Sequence, residues 1–167
     1  DCLAQTPRGV LMAGDHAEGD LPVPRGAKRV PLTPPFSLIN GLSLRAFNAT
    51  YYGKPWPAET RQHYLPYFYP LDAIHDWNRI YGKPGFYQYQ CAVPPASARA
   101  AIGEMLDTIA ASGQGSFLAV LKNFGARPAP GLLSFPMPGT TLALDFPNHG
   151  APTLALFARL DAIVRAA

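Results

Sequence analysis

Cysteine is nearly absent from this sequence, whose 167 residues include only Cys2 and Cys91. Two cysteines cannot form the disulfide framework of a small secreted domain. Cys91 lies on the apolar side of an alternating stretch at 85–93. We therefore expect a buried free thiol, which behaves as a small apolar side chain.

Charge and long apolar runs are also scarce. Charged residues make up 15% of the chain, the net charge is +3, and the basic residues occur in runs no longer than Lys28-Arg29. This distribution lacks the basic stripe of a nucleic-acid-binding domain. No run approaches 18 apolar residues, so the sequence predicts no transmembrane helix, and its first residues do not resemble a signal peptide. At 48% hydrophobic residues, the composition indicates a packed domain.

Self-contained catalytic motifs are missing as well. The sequence has no G-x-S-x-G elbow, no P-loop and no G-x-G-x-x-G fingerprint following a strand. The histidines are isolated, without a second His or Cys at ligand spacing, so no metal site is predicted. They are His16, His63, His75 and His149.

Proline, in contrast, is abundant, with 19 residues. Its spacing in 14–37 forbids a long helix or a central strand. We therefore predict a Pro-rich extended arm over 1–36, lying on something outside this chain, and a folded domain over 37–167.

The folded domain is expected to begin with short elements. A helix is predicted at 37–49, with Ser37 as its N-cap and a stripe of Leu38, Leu42 and Arg45. An aromatic, proline-broken loop follows. A short helix is then predicted within 70–85, with Gly82 as its stop.

The second half has clear periodicity. It predicts strands at 85–93 and 116–125, a broken strand or short hairpin at 132–147, and helices at 96–112 and 151–167. This order indicates an α+β fold, an antiparallel sheet with helices on one face in ferredoxin-like strand-helix-strand-strand-helix order. A final strand would normally follow, so we expect the chain to be truncated.

One face of the predicted sheet is unusually polar. Alternation places Gln88 and Gln90 on one side of the first strand. On the later strands, Val120, Lys122 and Phe124 share one parity, as do Thr141, Ala143 and Asp145. If these sides coincide, the surface suits a flat, hydrogen-bonding ligand. An ordinary solvent-exposed antiparallel face explains the pattern equally well.

Three segments carry a combined pattern. Residues 67–94 contain P-L-D-x-x-x-x-W-N-R-x-Y-G and then Q-Y-Q, 116–125 read SFLAVLKNFG, and 132–147 contain L-S-F-P-x-P-G. In this order they resemble FAD-dependent oxidoreductases of the vanillyl-alcohol oxidase type. Within that type, they resemble the group of decaprenylphosphoryl-β-D-ribose 2-oxidase and its relatives. GVLMAGDHA at 9–17 and LSLRAFNATYYG at 42–53 fit the same group.

The resemblance implies a two-domain enzyme whose substrate (cap) domain closes over the isoalloxazine ring of FAD. This chain would supply that domain in 37–167, and 1–36 would connect it to a FAD-binding domain. The segments that bind FAD are expected before Asp1 and after Ala167.

The resemblance also implies roles for individual residues. Gln88 and Gln90 match a glutamine pair facing flavin and substrate. Lys122 matches a lysine at the polar end of the ligand, and Phe124 the ring beside it. Gln90 and Lys122 would also approach FAD. Phe68 and Thr141 are further substrate positions, but they replace a tyrosine and an asparagine.

Further departures are Thr140 for tryptophan and Ala143 for cysteine, which imply a smaller, less polar pocket and leave the exact substrate open. The resemblance implies oxidation of an alcohol carbon of a sugar-like or polyol substrate, with hydride passing to flavin N5. Alone, the chain is expected to be inactive and to self-associate through exposed apolar surface.

The expected compartment is cytoplasmic or membrane-peripheral in a bacterial-type cell. The alternative is a non-catalytic ferredoxin-like ligand-binding or protein-interaction module.

Overall fold

A computed structural model describes residues 9–24, 26–116 and 118–167. The strands there are β1 (Lys28–Arg29), β2 (Ile74–His75), β3 (Phe86–Val93), β4 (Ala119–Phe124) and β5 (Gly139–Pro147). The α-helices are α1 (Gly41–Tyr52), α2 (Tyr64–Phe68), α3 (Pro95–Ser112) and α4 (Ala151–Ala166). The predicted α+β class is confirmed. No helix in the described ranges is long and apolar enough to cross a membrane.

The main sheet has three antiparallel strands in the order β3-β5-β4. The central strand β5 pairs with both edges, placing Gln90 opposite Ala143 and Lys122 opposite Thr141. Strand β3 alternates as predicted, because Tyr89, Cys91 and Val93 are buried while the glutamines are exposed. Cys91 is a free, buried thiol, as expected.

The main core lies between this sheet and the helices α3 and α4. Strand β5 contributes Leu142, Leu144 and Phe146, and the helices contribute Met105, Ile109 and Leu160 among others. These belong to the predicted helical stripes at 96–112 and 151–167. Burying an apolar side chain of this size stabilises the fold by roughly 1.5–3 kcal/mol. Helix α3 ends as predicted at Gly113, whose φ of 69° is left-handed.

The predicted start of α1 is wrong by three residues. Asn40 is the N-cap, because its side chain accepts hydrogen bonds from the backbone N–H groups of Leu42 and Ser43. Ser37 instead accepts from the N–H of Ile39 in a local turn. The predicted stripe is also wrong. Leu44 is the buried residue of this helix, packing with Ile39 and Tyr81, whereas Leu42 is 81% exposed.

The predicted helix in 70–85 is two short 3₁₀ helices, Pro70–Ala73 and Trp77–Tyr81, separated by β2. The interruption has a physical cause, since Asp76 adopts a left-handed φ of 57° and β2 pairs in parallel with β1. The expected loop before it contains the short helix α2. The hairpin alternative for 132–147 is wrong too: β5 begins only at Gly139, after two prolines that cannot donate to a ladder.

The Pro-rich segment runs against residues 67–83 of the same chain. Tyr67 donates to the carbonyl of Met12 at 3.2 Å, and Arg79 donates to the carbonyls of Val30 and Pro31 at 3.0 and 3.1 Å. Arg29 and Asp76 form an ion pair at 3.2 Å. That the segment also lies on a second domain stays a prediction.

Candidate functional site

The three strands bring most of the predicted site residues onto one surface. Residues opposite each other in an antiparallel sheet project to the same side, and the register joins both edges through β5. We call this surface, on the side away from α3 and α4, the open face. Its members are Gln88, Gln90, Ala92, Val120, Lys122, Phe124, Thr141, Ala143 and Asp145.

The two glutamines of the open face are each supported by a β5 side chain. Gln88 Nε2 donates to Asp145 Oδ1 at 3.0 Å. Gln90 Nε2 lies 3.4 Å from Thr141 Oγ1, and that hydroxyl donates to the carbonyl of Cys91 at 2.7 Å. Thr141 is only 2% exposed. Its hydroxyl therefore contacts the Gln90 amide from the buried side, next to the sheet backbone. Direct contact of Thr141 with a substrate stays a prediction.

Asp145 is the buried carboxylate of this surface, with 1% of its area exposed. Its Oδ1 holds Gln88, whereas its buried Oδ2 has no hydrogen-bond partner among the described residues. Its backbone N–H donates to Ser116 Oγ at 2.9 Å. Burial raises the pKa of the Asp145 carboxyl, and the hydrogen bond from Gln88 partly opposes that shift.

Tyr81 closes this end of the open face. It is fully buried, stacks on Phe86 at 4.6 Å between ring centroids, and lies 3.5 Å from the backbone carbonyl of Asp145. Burial raises the pKa of the Tyr81 phenol, and the nearby Asp145 charge adds to the rise. The sequence pattern placed Asp145 on this face but not among the site residues. The available signal was a lone carboxylate within an apolar strand.

Lys122 and Phe124 lie on the edge strand β4. Lys122 is exposed and lies opposite Thr141, and no described residue forms an ion pair or hydrogen bond with its side chain. Residues 108–144 contain no Asp or Glu, so Asp145 is the one carboxylate of the open face. Phe124 is half-buried opposite Gly139, at the end of the strand. The edge therefore carries a cation beside an aromatic ring.

Phe68 is not brought to the open face. It lies on α2, is 60% exposed, and lines a cleft of about 830 Å³ between the Pro-rich segment and 59–68. His16, Arg61 and His63 also line this cleft, and none of the open-face residues does. A role for Phe68 in substrate binding stays a prediction.

The chemistry of the open face suits an organic ligand. It presents two side-chain amides and an ammonium group, which together can bind N–H, O–H and anionic groups. The Asp145 carboxylate is buried beside them. These residues fit the polar edge of a flavin with a hydroxylated substrate beside it. Within the described ranges, no group of three or more His, Cys, Asp or Glu side chains could hold a metal ion.

The comparisons with known proteins agree with the motifs. No protein-family model matches the chain. The chain is similar to decaprenylphosphoryl-beta-D-ribose oxidase of Mycolicibacterium smegmatis, with 39% identity over 115 residues. The match covers 68% of this chain but only about a quarter, 24%, of the length of that relative. The resemblance predicted from the sequence is confirmed.

Proposed function

We propose that residues 37–167 form the substrate (cap) domain of a FAD-dependent oxidoreductase, which oxidises an alcohol carbon of a sugar-like or polyol substrate. The observation that carries this proposal is the 39% identity to an oxidase named for a decaprenylphosphoryl sugar. The gathering of Gln88, Gln90 and Lys122 on one face supports it. The strand order β3-β5-β4 supports a ferredoxin-like arrangement.

Each residue then has a defined task. When bound, FAD supplies the acceptor for the hydride that leaves the alcohol carbon. Gln88 and Gln90 hydrogen-bond the substrate hydroxyls and hold the reacting carbon in position. Lys122 binds the polar end of the substrate, and its charge stabilises negative charge that develops nearby. Phe124 packs beside the ligand. The base that takes the hydroxyl proton belongs to the FAD-binding part.

The partner in this proposal is the FAD-binding domain of the same protein, connected through residues 1–36. Exposed apolar side chains in 121–137 support such a partner, including Leu121 at 59%, Phe135 at 52% and Met137 at 38% exposure. Without that domain the chain would pair with a second copy of itself. The proposed compartment is cytoplasmic or membrane-peripheral in a bacterial-type cell.

A non-catalytic binding or interaction module remains the second candidate. It is favoured because two polar groups of the open face are bonded within the sheet, where Asp145 Oδ1 accepts from Gln88 and the Thr141 hydroxyl donates to a backbone carbonyl. The coding sequence on both sides of these residues discriminates the two functions. If no flavin-binding segment is encoded beside them, in the same polypeptide or an adjacent gene, the oxidase proposal fails.

The biochemical test uses the longer protein loaded with FAD. Bleaching of the flavin absorbance is followed with a panel of polyols and sugar phosphates. Lys122→Ala is expected to slow flavin reduction by roughly 10-fold or more, because one charged donor is lost from the site. The control is Lys83→Ala, which removes an exposed lysine outside the sheet. Equal rates in wild type and the Lys122 variant would exclude this lysine from the site.

A further inference from the structure

The amides of the open face are oriented by the strand beneath them. We infer that Asp145 and Thr141 turn the Gln88 and Gln90 amides so that both side-chain oxygens face the ligand. The open face then selects ligands that present hydroxyl or N–H donors. This inference deepens the proposed function, on which the choice of a sugar-like ligand rests.

The first step concerns Gln88. An ionised carboxylate only accepts hydrogen bonds, so the group 3.0 Å from Asp145 Oδ1 must be the amide NH₂. The planar amide then directs Oε1 away from Asp145. No described residue donates to this oxygen, and the Gln88 side chain is exposed. Gln88 therefore offers a free acceptor to the open side, and Asp145 is a positioning residue.

The same reasoning applies to Gln90. The Thr141 hydroxyl hydrogen is used in the 2.7 Å bond to the Cys91 carbonyl. Its oxygen can therefore only accept from Gln90, whose Nε2 lies 3.4 Å away. If the Gln90 amide were rotated by 180°, its Oε1 would face Thr141 Oγ1, and two hydrogen-bond acceptors would be in contact. Gln90 Oε1 is thus also directed to the open side, where no described residue donates to it.

These positions define a ligand class. Side chains two residues apart on a strand are about 7 Å apart, which is a span that two hydroxyl groups of one sugar ring and its substituents can bridge. Lys122 adds a cation across the sheet, opposite Thr141. A polyhydroxylated ring with an anionic substituent complements all three groups. A ring without hydroxyl donors would leave both amide oxygens unpaired.

The ligand test uses this chain, labelled with ¹⁵N, and follows the side-chain amide signals of Gln88 and Gln90. Ribose 5-phosphate is compared with tetrahydrofurfuryl phosphate, which keeps the ring and the phosphate but lacks hydroxyl groups. We expect ribose 5-phosphate to shift both amide signals and to bind about 10-fold more tightly, as hydrogen bonds of this kind predict. Equal affinities, or no shift with either compound, would overturn the inference.

Variants test whether Asp145 positions Gln88. Gln88→Glu sets two carboxylates together and should lower both stability and ribose 5-phosphate affinity. In Gln88→Glu with Asp145→Asn the donor and acceptor are exchanged, so an oxygen again faces the ligand. We expect this double variant to bind within about 3-fold of wild type, since the bond is restored with its partners reversed. If stability recovers and affinity does not, Asp145 has only a structural role and the inference is wrong.

The matched control is Asn123→Ala. It breaks a comparable bond in the same sheet, where Thr140 Oγ1 donates to Asn123 Oδ1 at 2.9 Å, at positions outside the open face. It should leave the affinity unchanged, and an equal loss there would overturn the inference. This experiment needs no flavin. Selective binding in a protein that never holds FAD would refute the proposed function alone, whereas a flavin enzyme without this selectivity would refute the inference alone.

Discussion

The two halves of this chain are stabilised in different ways. Residues 85–167 pack two long helices on one sheet, and their core contains twelve buried residues. Residues 9–84 form short elements around a cluster in which only Ile39, Leu44 and Tyr81 are buried. The second half is therefore held by apolar burial, whereas the first depends more on individual hydrogen bonds and ion pairs to a Pro-rich segment.

This difference suggests two levels of cooperativity. A large core makes its elements unfold together, whereas a segment joined by a few polar contacts can open by itself. Segments of low local stability are also the usual location of ligand-dependent movement. The following predictions test whether the halves are independent, beginning with the largest effect.

Removing a core side chain should affect the halves unequally. Leu160→Ala, at a fully buried position of α4, should lower the free energy of unfolding by about 3 kcal/mol through lost burial and a residual cavity. Leu44→Ala, at a 3% exposed position of the small cluster, should cost less, because that cluster can close more easily around the gap. Urea unfolding followed by circular dichroism measures both.

The control for this pair is Leu154→Ala, on the exposed side of α4 at 52% exposure, which should change stability by less than about 0.5 kcal/mol. Amide hydrogen exchange then locates each effect. Leu44→Ala should accelerate exchange in α1 and leave β3 and β5 protected. Equal acceleration in β5 would show that the two halves unfold as one unit.

Arg79 is the main polar link between the Pro-rich segment and the rest of the chain. It donates to the carbonyls of Val30 and Pro31 and lies 3.6 Å from Asp76. Arg79→Met should lower the local opening free energy of this segment by about 1–2 kcal/mol, with global stability unchanged. The Val30 amide, which donates to His75 at 3.1 Å, reports the opening by hydrogen exchange.

Arg99→Met, on the exposed surface of α3, provides the comparison for that experiment. It should not alter exchange at Val30. A fall in global stability with Arg79→Met, equal to the local effect, would mean that the segment is an integral part of the cooperative fold.

The predictive value of the sequence differed between the halves for the same physical reason. In residues 85–167 the side-chain periods of 2.0 and 3.6 match long elements with one buried face. The apolar pattern therefore predicted the sides of Tyr89, Cys91, Met105 and Leu160 correctly. In residues 37–84 the elements other than α1 have five residues or fewer, and α1 buries only Leu44, so no clear apolar period emerges. The left-handed Asp76 and the pairing of β1 with β2, 46 residues away by register, arise from tertiary contacts.

The candidate site was only partly predictable. Alternation alone assigned Gln88, Lys122 and Thr141 to faces of their own strands. That these faces coincide depends on the register, which alternation within each strand does not determine. Tyr81, contributed by the other half of the chain, lies 3.5 Å from the Asp145 carbonyl, a contact that the alternation of β5 does not predict. Phe68 was grouped with the site by resemblance, and the described fold places it in a separate cleft.

Asp145 lies where the two halves meet, so its ionisation tests their contact. Burial raises its pKa above the unfolded value, and between these two pKa values the folded state binds more protons. The unfolding free energy therefore falls as the pH rises through this window. Asp145→Asn removes the titration while its side-chain oxygen can still accept from Gln88. Relative to wild type, the variant should gain stability as the pH rises through the window, and the difference should be constant above it.

Urea unfolding of wild type and Asp145→Asn from pH 3 to pH 7 measures this difference in unfolding free energy. The contributions of the other carboxylates are common to both proteins and cancel. Asp107→Asn, on the exposed side of α3, is the control to which the burial argument does not apply. Tyr81→Leu then tests the contribution of the other half, because it removes the phenol that lies beside Asp145. Asp145→Asn is measured again in the Tyr81→Leu protein. There, the pH-dependent difference in stability caused by Asp145→Asn should be smaller than in the wild-type background. If it keeps its full size, the strand environment buries Asp145 by itself, and the two halves share no energetic coupling at this residue.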